Sequence, residues 1–161
     1  MRVEYINPFV ESSFNVLTEV LNMSGSVEVK RGALALKATS SKIRGVAALV
    51  GLAGDVEGRV LFDMSKETAL NVAGAMNMDT FKVLDEMAKS TIQELANMIT
   101  AQAVTKLHEL GFKFDLTPPA LFTGDNMEVS SNLGKVEALV VPMEMGEIGI
   151  IEVNVAIRER V

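Results

Sequence analysis

Residues 81–110 carry the pattern that most limits how this chain can fold. Apolar side chains recur there every three or four residues, which predicts one long helix that ends at Gly111. At about 100° per residue, the apolar positions share a sector of about 140°: Leu84, Ala88, Ile92, Leu95, Ile99, Ala103, Leu107 and Leu110. A helix with so wide an apolar face has to bury it, so we expect it to pack against other elements.

Strand patterns lie in two blocks, one before and one after this helix. The first block reads "SVEVK", "ALALKATS", "GVAALVGL" and "VEGRVLFDM", with "AGD" as a hairpin turn between the last two. The second reads "ALFTG", "MEVSS", "KVEALVVPM" and "EIGIIEVNVAI". Helices and hairpin-linked strands in separate blocks predict an α+β fold, with an antiparallel β-sheet packed by helices. The order of helix followed by strands occurs twice, which is compatible with a pseudo-duplication.

Two further helices and one exposed strand face are predicted. Asn7, followed by Pro8 at the first helical position, opens a helix that closes near Gly25, and Ser65 caps a second one over "KETALNVAGAMNM". The last strand predicts a sheet with one buried face, because Ile151, Val153, Val155 and Ile157 alternate with Glu152, Asn154 and Ala156. This strand would need covering if it lay at a sheet edge. No linker composition divides the chain, so residues 1–161 are predicted to be a single domain.

Composition excludes several classes of function. A net charge of −6 argues against general affinity for nucleic acid or for anionic membranes. The absence of cysteine removes disulfides, thiolate catalysis and zinc–thiolate sites. No apolar run approaches the roughly 20 residues of a membrane span, and acidic residues interrupt the N-terminal segment as they would not in a signal peptide. We therefore expect a cytoplasmic protein with no nucleic-acid partner and no membrane span.

One stripe of the long helix has an unusual composition. Ser90, Glu94, Asn97 and Ala101 fall within about 60° of each other, nearly opposite the apolar face. Asparagine is mildly unfavourable in an exposed helix interior, and the nearby Met98 suits an adaptable contact surface. Simple solvation explains the same pattern, since such residues often share a helix face by chance.

The stripe also carries a resemblance to a known family. "Ser90-x-x-x-Glu94-x-x-Asn97", followed by "Thr117-Pro118-Pro119", resembles the signature of the CheC/CheX/FliY family of chemotaxis phosphatases. The segment "GLAGDVEGRVLFDMSKETALNVAGAM" is similar to the hairpin and helix that precede the motif helix in CheX. CheC proteins carry a second copy of the motif on the first helix. Here Glu11 is followed three residues later by Phe14 instead of asparagine, so the single site resembles CheX most.

The resemblance implies a CheC-like fold and a phosphatase that acts on the phosphoaspartate of a CheY-type response regulator. It implies that Asn97 positions the attacking water and that Glu94 lies near the active-site lysine of the partner. Ser90, Met98 and Ala101 would contact that partner. The family needs no metal or cofactor of its own, because the Mg²⁺ is held in the receiver domain of the response regulator.

The resemblance leaves alternatives and further partners open. The same fold serves flagellar-switch proteins such as FliM, so the chain could instead be a non-catalytic module that binds response regulators. CheX-like proteins are dimers in which sheets join across subunits, which predicts a homodimer through sheet edges, and CheD is a candidate adaptor. His108 is interpreted as a surface residue near the helix end rather than a general base.

Overall fold

The fold alternates helices with groups of strands. The computed structural model describes residues 3–22, 25, 27–37, 41–129 and 138–160. In these residues the elements are α1 (Val3–Asn22), β1 (Lys30–Arg31), β2 (Ala35–Lys37), β3 (Ser41–Lys42), β4 (Gly45–Gly54), β5 (Val56–Ser65), α2 (Lys66–Asn77), α3 (Glu86–Glu109), β6 (Phe114–Leu116), β7 (Ala120–Thr123), β8 (Glu128–Val129), β9 (Ala138–Glu144) and β10 (Ile150–Glu159). A short 3-10 turn, Gly146–Ile148, precedes β10. None of the described helices is long and apolar enough to cross a membrane.

The main sheet is antiparallel and has the order β1–β9–β10–β5–β4–β6, with β2 also paired to β9 and β7 also paired to β4. β3 and β8 form a separate pair. β6 was not predicted, because its three residues are too few to show a period. Parts of the predicted strands, at residues 26, 38–40, 130–131 and 135–137, lie outside the described residues. The α+β fold and the AGD hairpin between β4 and β5 are confirmed.

The C-terminal strand β10 lies in the centre of the sheet, so the condition under which it would need covering is not met. It pairs with β9 on one side and with β5 on the other. Two neighbouring strands therefore satisfy its backbone groups, and no second subunit is needed to cover it.

Both faces of the central strands are buried, which contradicts the single buried face predicted for β10. Glu152 is 9% exposed and Asn154 is 3% exposed. Asn154 Oδ1 accepts a hydrogen bond of 2.9 Å from Arg59 Nη1, and Glu152 forms an ion pair with Arg44. Burial lowers the pKa of the Arg59 guanidinium. The alternating polar residues therefore belong to a second, partly polar core layer that also contains Ile43, Ala47 and Leu61.

The described elements form two similar units. Each unit begins with a long helix, α1 or α3, followed by two short strands that pair with a long strand of the other unit. One strand of the β3–β8 pair comes next, and two long strands end the unit. The units meet where β5 pairs with β10 and where α1 packs against α3. Helix α2 connects them. This topology is what the repeated order of helix and strands in the sequence indicated.

The first helix begins earlier than predicted. α1 already includes Val3, and Pro8 lies inside it, so Asn7 is not its N-cap. Tyr5 and Ile6 are only 2% and 3% exposed, and the Tyr5 ring packs edge-on against Phe112 at 5.1 Å between centroids. Burial of these side chains stabilises helical backbone around Pro8 although the proline cannot donate a hydrogen bond.

The long helix α3 begins later than predicted, at Glu86 rather than at Phe81. Asp85 is its N-cap, and the carboxylate accepts a hydrogen bond of 2.8 Å from the backbone N–H of Ala88. Ser65 caps α2 as predicted, by accepting from the backbone N–H of Thr68 at 3.1 Å. The negative charge of Asp85 also lies at the favourable end of the helix dipole.

We expect Asp85→Ala to lower the free energy of unfolding by about 1 kcal/mol, because one first-turn N–H loses its partner. Urea denaturation monitored by circular dichroism measures this change. Asp125→Ala is the control, since Asp125 is an exposed residue outside the helices. Equal stability of the two variants would contradict the capping role of Asp85.

Candidate functional site

Helix α3 buries the face predicted for it, with one exception. Ala88, Ile92, Leu95, Ile99, Ala103 and Leu107 are each at most 2% exposed, and Leu84 packs partly buried against the same core. Leu110 is 58% exposed, so its assignment to the core is wrong. It is the C-cap residue just beyond the last helical residue, and the burial of this face ends one turn earlier, at Leu107.

The opposite face of α3 is an exposed ridge, by which we mean Ser90, Glu94, Asn97 and Ala101. All four residues are exposed, and Met98 beside them is half-buried. Within the described part of the chain, the side chains of Glu94 and Asn97 make no hydrogen bond or ion pair to another residue. A carboxylate and a carboxamide less than one turn apart therefore point to solvent from a helix whose other face is fixed in the core.

Neighbouring segments hold the ridge on both flanks. On one side, Gln93 Nε2 donates to the backbone carbonyl of Pro119 at 3.1 Å. Thr117 is in turn fixed to Gly51, whose backbone N–H donates to Thr117 Oγ1 at 2.8 Å and whose carbonyl accepts from the Thr117 N–H at 2.9 Å. On the other side, Asn77 Nδ2 at the end of α2 donates to Thr91 Oγ1 at 2.8 Å. The Thr117–Pro119 segment of the signature thus lies beside the ridge.

The structural role of Gln93 was not predicted from the sequence. Gln93 is a polar residue next to Glu94, and such residues are normally solvated. Its role as a tie depends on Pro119, whose proximity is created by the return of the chain after α3. The one signal available was the Thr117-Pro118-Pro119 segment, whose prolines restrict where the chain can go.

Helix α1 has positions equivalent to Glu94 and Asn97, but it does not carry the same pair of functional groups there. When the first residues of α1 and α3 are aligned, Glu11 takes the place of Glu94 and Phe14 takes the place of Asn97. Glu11 is paired with Lys106 at 3.0 Å, and Arg31 lies over the Phe14 ring at 5.3 Å from its centroid. The carboxylate at this position is therefore occupied, and phenylalanine stands where the equivalent carboxamide would be.

The other candidate groups lie apart from the ridge. His108 is exposed, about 16 Å along the helix from Asn97, and its ring packs against Phe114 with 5.2 Å between centroids. Among the described residues, no three side chains of histidine, aspartate or glutamate are grouped so that they could hold a metal ion. The arrangement on α3 is suited to completing a site that another molecule brings.

Comparison with known structures places the fold in the CheC-like class. A CheC-like superfamily protein from Shewanella sp. PV-4 matches with a TM-score of 0.84 and 26% identity, over 98% of this chain and 99% of that one. The family model described as chemotaxis phosphatase CheX matches residues 46–144. The CheY-P phosphatase CheX of Thermotoga maritima is 31% identical over 133 residues, which are 81% of this chain and 83% of that protein. This chain belongs to the CheX family of chemotaxis phosphatases.

A further relative has been solved together with another protein. The crystal structure of the CheX–CheY–BeF₃–Mg²⁺ complex from Borrelia burgdorferi contains a chain with a TM-score of 0.83 and 42% identity. The match covers 98% of this chain and 100% of that one. The family resemblance and the CheC-like fold deduced from the sequence are confirmed by these comparisons.

Proposed function

We propose that this protein hydrolyses the phosphoaspartate of a CheY-type response regulator by inserting Glu94 and Asn97 into the receiver active site. The observation that carries the proposal is the exposure of both side chains on α3 without partners in the described residues. Membership of the CheX family supports the substrate, because a relative is named a CheY-P phosphatase and another is solved with CheY. In this role the protein would help to end a chemotaxis signal.

Asn97 would position the water that attacks phosphorus. An acyl phosphate is already activated, and phosphoryl transfer is catalysed mainly by positioning and electrostatics. A carboxamide both accepts and donates hydrogen bonds, so it can hold water in line with the P–O bond that breaks. Water then forms the new P–O bond and aspartate leaves as a carboxylate. The proton from the water passes to the released inorganic phosphate.

Glu94 would fix how the two proteins meet. Placed near the active-site lysine of the receiver, its carboxylate would form a charge-assisted hydrogen bond, which is stronger than a neutral one. Because Glu94 and Asn97 share one rigid helix, this bond also sets the position of the carboxamide. Ser90, Met98 and Ala101 would contact the receiver around them, with the small side chain of Ala101 allowing close approach.

The phosphoryl group and the metal would both belong to the partner. In the Borrelia complex, BeF₃ stands in for the phosphoryl group and is accompanied by Mg²⁺ and CheY. The proposed reaction therefore requires Mg²⁺ in the receiver domain and no cofactor bound to this chain. It also places the protein in the cytoplasm, where response regulators act, and treats residues 1–161 as one domain.

The direct test adds the purified protein to several phosphorylated receiver domains and follows the release of inorganic phosphate. We expect one CheY-type receiver to lose phosphate much faster than it does alone. Tight binding to a receiver without faster release would instead favour the non-catalytic module of the flagellar-switch type. CheD binding can be measured on the same sample.

A homodimer through sheet edges is part of the same proposal, although the edge differs from the one first suggested. β2 pairs with β9 on one side, and Leu34 just before β2 and Leu36 within it are 60% and 64% exposed. A second copy that extends the sheet here would cover both leucines and the side of β2 that pairs with no other described strand.

We expect Leu36→Lys to shift the protein from dimer to monomer, because it places a charge in the apolar contact. Light scattering over a range of concentrations measures the mass. Leu110→Lys, at a comparably exposed leucine beyond α3, should leave the mass unchanged. A wild-type protein that stays monomeric at every concentration would rule this dimer out.

A further inference from the structure

Three exposed apolar side chains lie where α2 connects to α3. Met78, Val83 and Met87 are 71%, 66% and 60% exposed, and we call them the apolar patch. Met87 lies within about 20° of Glu94 around the α3 axis and about 10 Å before it along the helix. The apolar patch therefore begins on the same line of α3 as the ridge.

Hydrogen bonds hold the backbone of the apolar patch in place. Asn77 Nδ2 donates to Thr91 Oγ1 at 2.8 Å, and that hydroxyl donates to the carbonyl of Met87 at 2.8 Å. The N–H of Met78 donates to the carbonyl of Gly74, and the N–H of Asp85 donates to the carbonyl of Val83 at 2.9 Å. The three side chains are thus presented outward by an ordered connection.

Met78 occupies a backbone position that disfavours methionine. It is the C-cap of α2 and has a φ of 53°, in the left-handed region where glycine or asparagine is usual. Its side chain gains little from burial, since 71% of the residue is exposed. Local stability thus gives no reason for a methionine here, which points to a role in contact with another molecule.

The ridge by itself offers too little surface for specific binding. A stable interface buries about 800 Å² on each partner, with an apolar centre and a polar rim. Ser90, Glu94, Asn97 and Ala101 are small or polar, so the apolar contact has to come from beside them. Within the apolar patch, Met87 adjoins the ridge, because Met87 and Ser90 are three residues apart on α3. The patch also contains two methionines, whose flexible side chains adapt to a partner. A receiver of about 100 residues, with a radius of gyration of about 13 Å, spans both surfaces.

We infer that the apolar patch is a docking surface for the receiver domain, which it contacts through apolar side chains next to the phosphorylation site. This inference rests on the proposed function and adds to it a source of affinity. The ridge would act on the phosphoryl group while the apolar patch holds the receiver in place. Substitutions in the patch should then change binding and leave the chemical step intact.

The test measures phosphate release and binding for Met78→Gly and Met87→Gln. We expect each to raise KM for the phosphorylated receiver, and Kd for the Mg²⁺–BeF₃ receiver, by about tenfold, with kcat within about twofold of wild type. Met78→Gly should keep or raise the melting temperature, because glycine is favoured at a left-handed C-cap. Met87→Gln keeps a similar helix propensity. Leu110→Gln, at another exposed leucine, is the matched control and should change neither constant.

Each other result has a defined meaning. Unchanged KM and Kd in both patch variants, with an active wild type, would overturn the docking surface and leave the proposed function standing. A fall in kcat at unchanged KM would also overturn it. A changed oligomeric mass with unchanged Kd would assign the patch to a contact between copies of this chain. A wild type that neither binds nor dephosphorylates any receiver would overturn both proposals.

Discussion

Asn97→Ala is expected to lower kcat for phosphate release by at least about a hundredfold, which is the usual loss when a positioned transition-state contact is removed. Without the carboxamide, the attacking water would have to be ordered anew in each encounter. Binding to the Mg²⁺–BeF₃ receiver should change little, because Asn97 would supply only one small contact. The fold should be unaffected, since Asn97 is exposed and alanine has the higher helix propensity. Rates at saturating receiver, with Kd measured separately, give the two quantities.

Gln102→Ala provides a matched control for this experiment. Gln102 is also an exposed carboxamide on α3, but it lies about 140° around the helix from Asn97. Its replacement should leave kcat at the wild-type value. Equal rates for Asn97→Ala and wild type would show that the water is positioned by some other group.

Glu94→Ala should weaken binding and catalysis together. A hydrogen bond to a charged group contributes about 1.5–3 kcal/mol, so we expect kcat/KM to fall by about 10- to 100-fold. KM should rise because the proposed charged contact to the receiver would be lost. The value of kcat should fall because the carboxamide of Asn97 is then less well placed. Steady-state kinetics over a range of receiver concentrations separates the two effects.

Glu94→Gln removes the negative charge of the side chain while keeping its size and shape, so it separates the two contributions to binding. Glutamine retains the length of the side chain and its capacity to accept a hydrogen bond. If charge fixes the docking, the Glu94→Gln protein should bind weakly, and its affinity should depend less on ionic strength than that of wild type. Wild-type affinity and wild-type salt dependence in this variant would argue against a charged contact at Glu94.

The sequence was sufficient to predict the exposed face of α3. The helical period places Glu94 and Asn97 opposite Ile92 and Ile99, and the structure leaves the first pair exposed and buries the second. The helical period predicts well which side chains point to the core and which to solvent when one face of the helix packs against the protein. The chemical roles of Glu94 and Asn97 came from the family resemblance and remain predictions.

The sheet was harder to predict, for a reason visible at Asn154. Alternating polarity in β10 suggested one solvated face, but Asn154 accepts a hydrogen bond from Arg59, 95 residues earlier in the chain. A polar side chain in a strand is exposed or buried according to whether the fold brings it a partner. That partner depends on the pairing of β5 with β10, which neither strand reveals alone.

The predicted starts of α1 and α3 were wrong for a reason that lies within a few residues of each start. Asn7 and Pro8 form a good N-terminal signal, but the burial of Tyr5 and Ile6 extends α1 past it. Conversely, the apolar residues before α3 suggested an early start, whereas the Asp85 carboxylate caps the helix at Glu86. Capping signals compete with tertiary packing, and only the folded chain shows which of them decides.

The proposed entry of the ridge into a receiver can be tested directly at the side-chain amide of Asn97. In a ¹⁵N-labelled protein, the NH₂ signal of Asn97 is identified by its disappearance in Asn97→Ala. Its chemical shift should move strongly when the Mg²⁺–BeF₃ receiver is added, and much less with a receiver that lacks BeF₃. A complex that forms while this signal stays at its free position would contradict the account, because the carboxamide would then lie outside the phosphorylated pocket.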